Sequence, residues 1–418
     1  MFGSYLTQWD LLVIVFYFVF QFSLGFIFKA FSKDASDYFR GGGSMLWWLV
    51  GASAFMTQFS AWTFTGAAGK AYVDGTLVMA IFFGNALGYF CNYLYTSYRY
   101  RRMRVVTAIE GVRDRFGPVN EQVFTWLQVP MSVVYAGIWL NGLGIVASSF
   151  FNVDPSFTVL IVGVVVVLMS VMGGSWAIVA SDFMQTLLLM SITLVACFLA
   201  LSHPAVDGLS GLLTKLPEGH LKPWDAEDAT FVYFWIFAAF VIQSFKLNNM
   251  FDAYRYLCVK DDKQARKASL MASILMFVGP FIWFIPPMAA SIIQPDLALV
   301  FPELGDKAYE GAFVFIGLEL MPLGMVGLLL CALFAATISS MDTGLNRNAG
   351  IIVKNFYQPV FRPNASSEHL LFAGKVISAL FGALIIVAAL GMQSICLLYT
   401  SDAADDSLRV DLGGRRII

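Results

Sequence analysis

The stretch Gly51-Ala-Ser-Ala-Phe-Met-Thr-Gln-Phe-Ser-Ala-Trp-Thr-Phe-Thr-Gly66 lies in a run that begins at Met45 and is long enough to cross a bilayer. Ser53, Thr57, Gln58, Ser60 and Thr63 put hydroxyls and an amide near its middle. In lipid a backbone polar group without a partner costs several kcal/mol, so such a run has two solutions. It unwinds, turning carbonyls toward a cation in a protein-lined cavity. Otherwise it stays a continuous helix whose small residues let a neighbour approach closely. These residues alone leave both open.

The rest of the chain fixes the solvent. Of 418 residues, 58% are hydrophobic and only 13% charged, with a mean hydropathy of +0.72. A water-soluble domain of this size with that surface would precipitate, so the chain is read as a polytopic all-α membrane protein. Ten apolar runs recur, at 9–28, 45–66, 75–98, 123–150, 156–172, 175–201, 231–251, 268–292, 323–353 and 370–392. The first run has no basic start and is followed by Lys29 and Lys33 rather than a small-residue cleavage site, so it reads as a retained helix and not as a signal peptide.

Basic residues set the expected orientation, because positively charged loops stay cytoplasmic. With the loops assigned alternately, eighteen Lys and Arg between Lys29 and Lys375 fall on one side, against Lys70, Lys215, Lys222 and Lys307 on the other. The amino terminus is therefore expected outside and the basic loops inside, in a cell membrane. The net charge of -2 adds little. The five cysteines and three histidines show no paired or metal-ligand spacing, and no nucleophile–base constellation is visible. An enzyme is not expected, and neither is a nucleic-acid partner; the expected partners are a small-molecule substrate and the lipid bilayer.

Two further clusters interrupt apolar runs. In Ala335-Ala-Thr-Ile-Ser-Ser-Met-Asp-Thr-Gly-Leu-Asn346, hard oxygen ligands suited to a small alkali cation crowd into little more than one turn. Ser339 shares a helix face with Asp342 and Thr343, three and four residues on, whereas Ser340 points elsewhere. Two neighbouring cation positions fit on this helix; the competing reading is hydroxyls back-bonding to carbonyls. In Phe245-Lys-Leu-Asn-Asn249 a lysine stands where a helix should be apolar. A lone lysine at mid-membrane costs about 3 kcal/mol, so Lys246 is expected to have an anionic partner, either substrate or protein. Asp182 is the other acid inside a run.

After Gln393 the chain changes character. Cys396-Leu-Leu-Tyr-Thr-Ser-Asp-Ala-Ala-Asp-Asp406 and the residues to 418 make neither a span nor an amphipathic helix, and they resemble translated sequencing-adapter read-through. The expected division is a transporter domain over 1–393 and a non-native, disordered tail over 394–418.

Taken together, Ser36-Asp-Tyr-Phe-Arg-Gly-Gly42 followed by Trp47-Trp-Leu-Val-Gly-Ala-Ser53, Gly173-Gly174 with Asp182 behind it, and Ala335-Ala-x-x-Ser-Ser340 ahead of Asn346 resemble the sodium:solute symporter family over residues 1–393. That resemblance implies a LeuT-type fold of two inverted five-helix repeats, the first helix of each broken near the midplane, with one added N-terminal helix. The runs at 45–66 and 231–251 would open the two repeats. The helix closing the second repeat is then expected to be missing, so these 418 residues would form the walls of the site without transporting.

The resemblance also implies sodium-coupled import of a small organic solute by alternating access. Na+ would bind the carbonyls of Met56, Phe59 and Ala336 and the hydroxyls of Ser339 and Ser340. A second Na+ would fall to Asp182, Ser339, Asp342 and Thr343, with Asp342 replacing the serine that members carry there. Gln58, Thr63, Phe245, Lys246 and Asn249 are the expected substrate contacts. Lys246 points to a carboxylate or sugar acid. The alternatives are a neutral sugar or amino acid, or a non-transporting solute sensor of the same fold.

Overall fold

The computed structural model describes residues 6–151, 154–222, 229–252 and 254–391. The tail expected at 394–418 lies outside them. Helix α1 (Gln8–Lys29) opens with a capping box between Thr7 and Asp10, which satisfies donors that the first turn would leave free. The short α2 (Ala35–Arg40) leads through a glycine turn to α3 (Trp47–Met56), α4 (Ala61–Phe64) and α5 (Gly66–Asp74). The run at 45–66 is therefore broken, which decides between its two readings. The chain unwinds after Met56, and Ser60 is fully extended at φ -150°, ψ 176°.

Helices α6 (Met79–Cys91), α7 (Ser97–Met103), α8 (Ala108–Phe116) and α9 (Pro118–Phe151) follow. Next, α10 (Pro155–Ser202) consists of two arms joined at Gly174, whose φ of 58° and ψ of -156° leave the helical region. A β-carbon there would sit 2.6 Å from the Tyr38 ring, so this corner requires glycine. The chain continues through α11 (Gly208–Lys215) to α12 (Ala229–Leu247), which ends where Asn248 and Asn249 were expected to interrupt a span. A turn separates it from α13 (Tyr254–Leu257). The second break is thus present as well.

Prolines divide the following run into α14 (Asp262–Val278), α15 (Pro280–Trp283) and α16 (Ile285–Ile293). The last elements are α17 (Ala312–Leu320), α18 (Met325–Ile351), α19 (Gln358–Phe361) and α20 (Ser367–Gly391). Among the described residues, eight helical runs are long and apolar enough to cross a membrane. Two of these eight each take in parts of two of the ten expected runs. The runs at 156–172 and 175–201 form the single kinked α10, and the run at 45–66 is broken, its second part continuing into the next span as far as Met103.

Helix α18 is the axis of the molecule. It packs on α10, α9, α1 and α20, and the most apolar window of its span is 89% buried. Helix α12, at 11%, lies on the outside against α6. The polar residues of α18 are consequently far from water and must find partners inside the protein.

Candidate cation and solute site

The first break faces α18. The Ser340 hydroxyl donates to the Phe59 carbonyl at 2.6 Å, with the carbonyls of Thr57 and Ala336 at 3.3 and 3.4 Å from the same oxygen. The amide of Ala61 donates to Thr337 Oγ1 at 3.1 Å, pinning the start of α4 to the same helix. Ser339 Oγ is fully buried without a hydrogen-bond partner. Met56 O accepts from the Phe59 amide at 2.9 Å, closing the turn that carries the break. The structure therefore brings Phe59, Ala336 and Ser340 into direct contact, with Met56 in the adjoining turn and Ser339 beside Ser340. Carbonyl and hydroxyl oxygens of this kind suit a hard, monovalent cation.

A second polar cluster adjoins it. Asp182, Asp342 and Thr343 are buried, and so is Arg255 of α13, only 3% exposed. Arg255 Nη2 donates to Asp182 Oδ2 at 3.1 Å and also to Thr343 Oγ1. Ser53 of α3 donates to the same Asp182 oxygen. Asp182 Oδ1, Asp342 Oδ1 and the Nε and Nη1 atoms of Arg255 are buried without hydrogen-bond partners. Of the four oxygen ligands expected for a second cation, Asp182 and Thr343 are thus engaged by a guanidinium that the sequence reading had counted among ordinary loop charges. The available signal was its place just beyond the second break. Its direction, inward onto α10 and α18, depends on the tertiary fold.

The expected substrate contacts do not converge. Gln58 is half-buried next to Tyr89, whose hydroxyl donates to the Ala54 carbonyl, and Thr63 is buried in α4. Phe245, however, is 76% exposed, and Lys246 is exposed beside it. Lys246 stands on the outer side of α12, away from the buried first break, and the protein acid in its vicinity is Asp252. Asn249 accepts from the amides of Phe251 and Asp252, shaping the turn. Its neighbour Asn248 is the one directed inward, donating to Gly88 O at 3.1 Å.

One group was missed by the sequence reading. Phe55, Phe59, Phe82 and Trp283 are fully buried beside the first break, with the Phe59 and Trp283 rings 5.0 Å apart in an edge-on arrangement. Trp283 Nε1 has no hydrogen-bond partner. Buried indole N–H groups ordinarily find one, so this donor is available beside the unwound segment.

Comparison with known proteins agrees with this architecture. The chain is 26% identical to the sodium/myo-inositol cotransporter 2 of Oryctolagus cuniculus, over 88% of this chain and 59% of the relative. It is 25% identical to the sodium/sialic acid symporter SiaT of Proteus mirabilis, over 88% of this chain and 75% of the relative. A sodium/glucose cotransporter of Vibrio parahaemolyticus is 24% identical over 87% and 71%. The chain spans about three-fifths of the length of the myo-inositol cotransporters it matches.

A solved structure of a Na+-coupled sialic acid symporter, substrate-bound and outward-open, superposes with a TM-score of 0.80 at 21% identity, covering 94% of this chain and 83% of that one. The shared fold is of the LeuT type. Residues 38–406 match the profile of the sodium:solute symporter family, so the chain, with its two broken helices and its polar α18, belongs to that family.

Proposed function

We propose that residues 1–393 form the transport domain of a sodium-coupled symporter that imports a small organic solute by alternating access. The observation that carries this is the Ser340 hydroxyl meeting the Phe59 carbonyl across an unwound helix, beside the unpartnered Ser339 hydroxyl. In this reading Na+ binds Met56, Phe59, Ala336, Ser339 and Ser340, joining the two repeats. A second Na+ falls to Asp182, Ser339, Asp342 and Thr343. Each inward sodium gains about 2.3 kcal/mol per 100 mV of membrane potential. The basic loops lie in the cytoplasm and the amino terminus outside.

The favoured substrate is a sugar acid, supported by the sialic acid symporters among the relatives. Exposed Lys246 no longer contributes to that argument. A neutral polyol or sugar is the second reading, favoured by the myo-inositol and glucose cotransporters. Gln58, Thr63 and the Trp283 indole are the substrate contacts that the buried break supplies.

The test is ligand-induced stabilisation of the purified chain in lipid nanodiscs, with NaCl or choline chloride, each with and without sialic acid or myo-inositol. Stabilisation by sialic acid only in sodium is the expected result. The same response to myo-inositol alone selects the second reading. Equal stability in sodium and choline overturns the sodium claim.

A further inference from the structure

We infer that Arg255 is a tethered cation that occupies part of the second cation position when sodium is absent, and that sodium binding there drives its guanidinium off Asp182 and Thr343. This rests on the sodium-coupled reading above. Three observations carry it.

The first is occupancy. Asp182 and Thr343, two of the four ligands, give an oxygen each to the single nitrogen Nη2. A sodium ion coordinated by those atoms and a guanidinium donating to them compete for the same lone pairs. The second is incomplete satisfaction on both sides. Ser339 stands beside the Asp182 carboxylate without a well-formed hydrogen bond, Asp342 Oδ1 is buried and unpartnered, and so are Arg255 Nε and Nη1. A permanent buried arginine ordinarily uses its planar fork bidentately. Here one nitrogen makes both hydrogen bonds, to Asp182 and to Thr343, and the fork is not used bidentately. The seat leaves most of the guanidinium's donors unused.

The third is the mechanical linkage. Arg255 sits on α13, only Tyr254–Leu257, directly after the turn that breaks the second helix. The other end of α13 is tied to the first broken helix, since the Met45 amide donates to the Cys258 carbonyl at 3.0 Å. In the proposal, release of the guanidinium loosens α13, and this backbone tie passes the change to the segment that precedes the first break. Like charges repel strongly at such separations in a protein interior, so the two cations do not share the Asp182 carboxylate without cost. In this role Arg255 is a positioning residue: it sets the sodium affinity of the cluster and couples sodium occupancy to α13.

Cys258 provides a reporter without altering Arg255, because it is fully buried at the end of α13. In a full-length chain with Cys91, Cys197, Cys331 and Cys396 changed to serine, reconstituted in nanodiscs, maleimide labelling of Cys258 is followed as NaCl replaces choline chloride. The sodium midpoint is read in parallel from thermal stabilisation for wild type, Arg255→Gln, Arg255→Lys and Ser340→Ala.

Sodium is expected to speed Cys258 labelling several-fold. Arg255→Gln should label fast without sodium and bind sodium at a concentration about tenfold lower, with Arg255→Lys nearer wild type. A merely structural arginine would instead weaken sodium binding when removed and leave wild-type labelling indifferent to sodium; either result overturns the proposal. Sodium binding that Ser340→Ala abolishes, together with sodium-insensitive Cys258, sinks this inference alone. No sodium binding in any variant sinks the sodium reading on which it stands. If Arg255→Gln does not fold, the wild-type labelling and Arg255→Lys still decide.

Discussion

Replacing Ser340 with alanine tests the proposed main site directly. Its hydroxyl is 2.6 Å from Phe59 O and within 3.4 Å of Thr57 O and Ala336 O, so it is the side-chain oxygen through which α18 reaches the unwound segment. A polar contact to a charged partner in such a setting contributes about 1.5–3 kcal/mol. Taking about 2 kcal/mol, the variant should bind sodium roughly thirtyfold more weakly.

At a sodium concentration a hundred times the wild-type dissociation constant, ligand linkage stabilises the wild type by about 2.7 kcal/mol. The same concentration is then only about three times the variant's constant, and the gain falls to roughly 0.9 kcal/mol. The assay is chemical or thermal denaturation in nanodiscs with NaCl against choline chloride at equal ionic strength. Ser340→Thr keeps the hydroxyl and should retain most of the increment. A Ser340→Ala protein with the full wild-type sodium increment would show that the contact across the break is only a structural hydrogen bond.

The remaining expectations concern the frame and the solute. Gly174→Ala puts a β-carbon 2.6 Å from Tyr38 at a positive φ, which should cost about 1–3 kcal/mol in backbone strain alone and lower the yield of folded protein; unchanged stability would mean the corner relaxes. Trp283→Ala removes a fully buried ring from the aromatic group at the break and should cost about 3–5 kcal/mol, read from the denaturation midpoint. Trp283→Phe restores the packing but not the N–H, so weaker solute binding with near-normal stability would identify the indole as a solute donor. Lys246→Gln, at an exposed position, should change stability by less than about 0.5 kcal/mol and leave sialic acid binding unaltered; a tenfold loss of affinity would return the lysine to the site.

How much was legible varies residue by residue. The interruptions were visible because polar groups in a lipid-spanning run are costly, but Thr57, Gln58 and Ser60 left unwinding and close helix packing equally open. Ser339 and Ser340 were visible for the same reason, since hydroxyls on a helix that also carries Asp342 call for partners. At Phe245 and Lys246 the sequence marks the interruption but not which side of α12 faces inward, and the residue directed inward is Asn248. Arg255 was hidden among cytoplasmic-type charges, since a basic residue just outside a span is ordinary by composition.

The sequence alone thus determined the solvent, the approximate positions of the apolar runs, the two interruptions and the family resemblance. All of these follow from local cost: each depends on whether a residue type tolerates lipid at its own position in the chain. The tertiary structure decided that the first run is broken rather than merely closely packed, that α18 runs through the centre while α12 lies outside, and that Asp182 and Thr343 meet the Arg255 guanidinium. Those outcomes depend on which faces of separate helices meet, and hydrogen bonds between residues 73 and 88 positions apart are specified only once the whole bundle has packed.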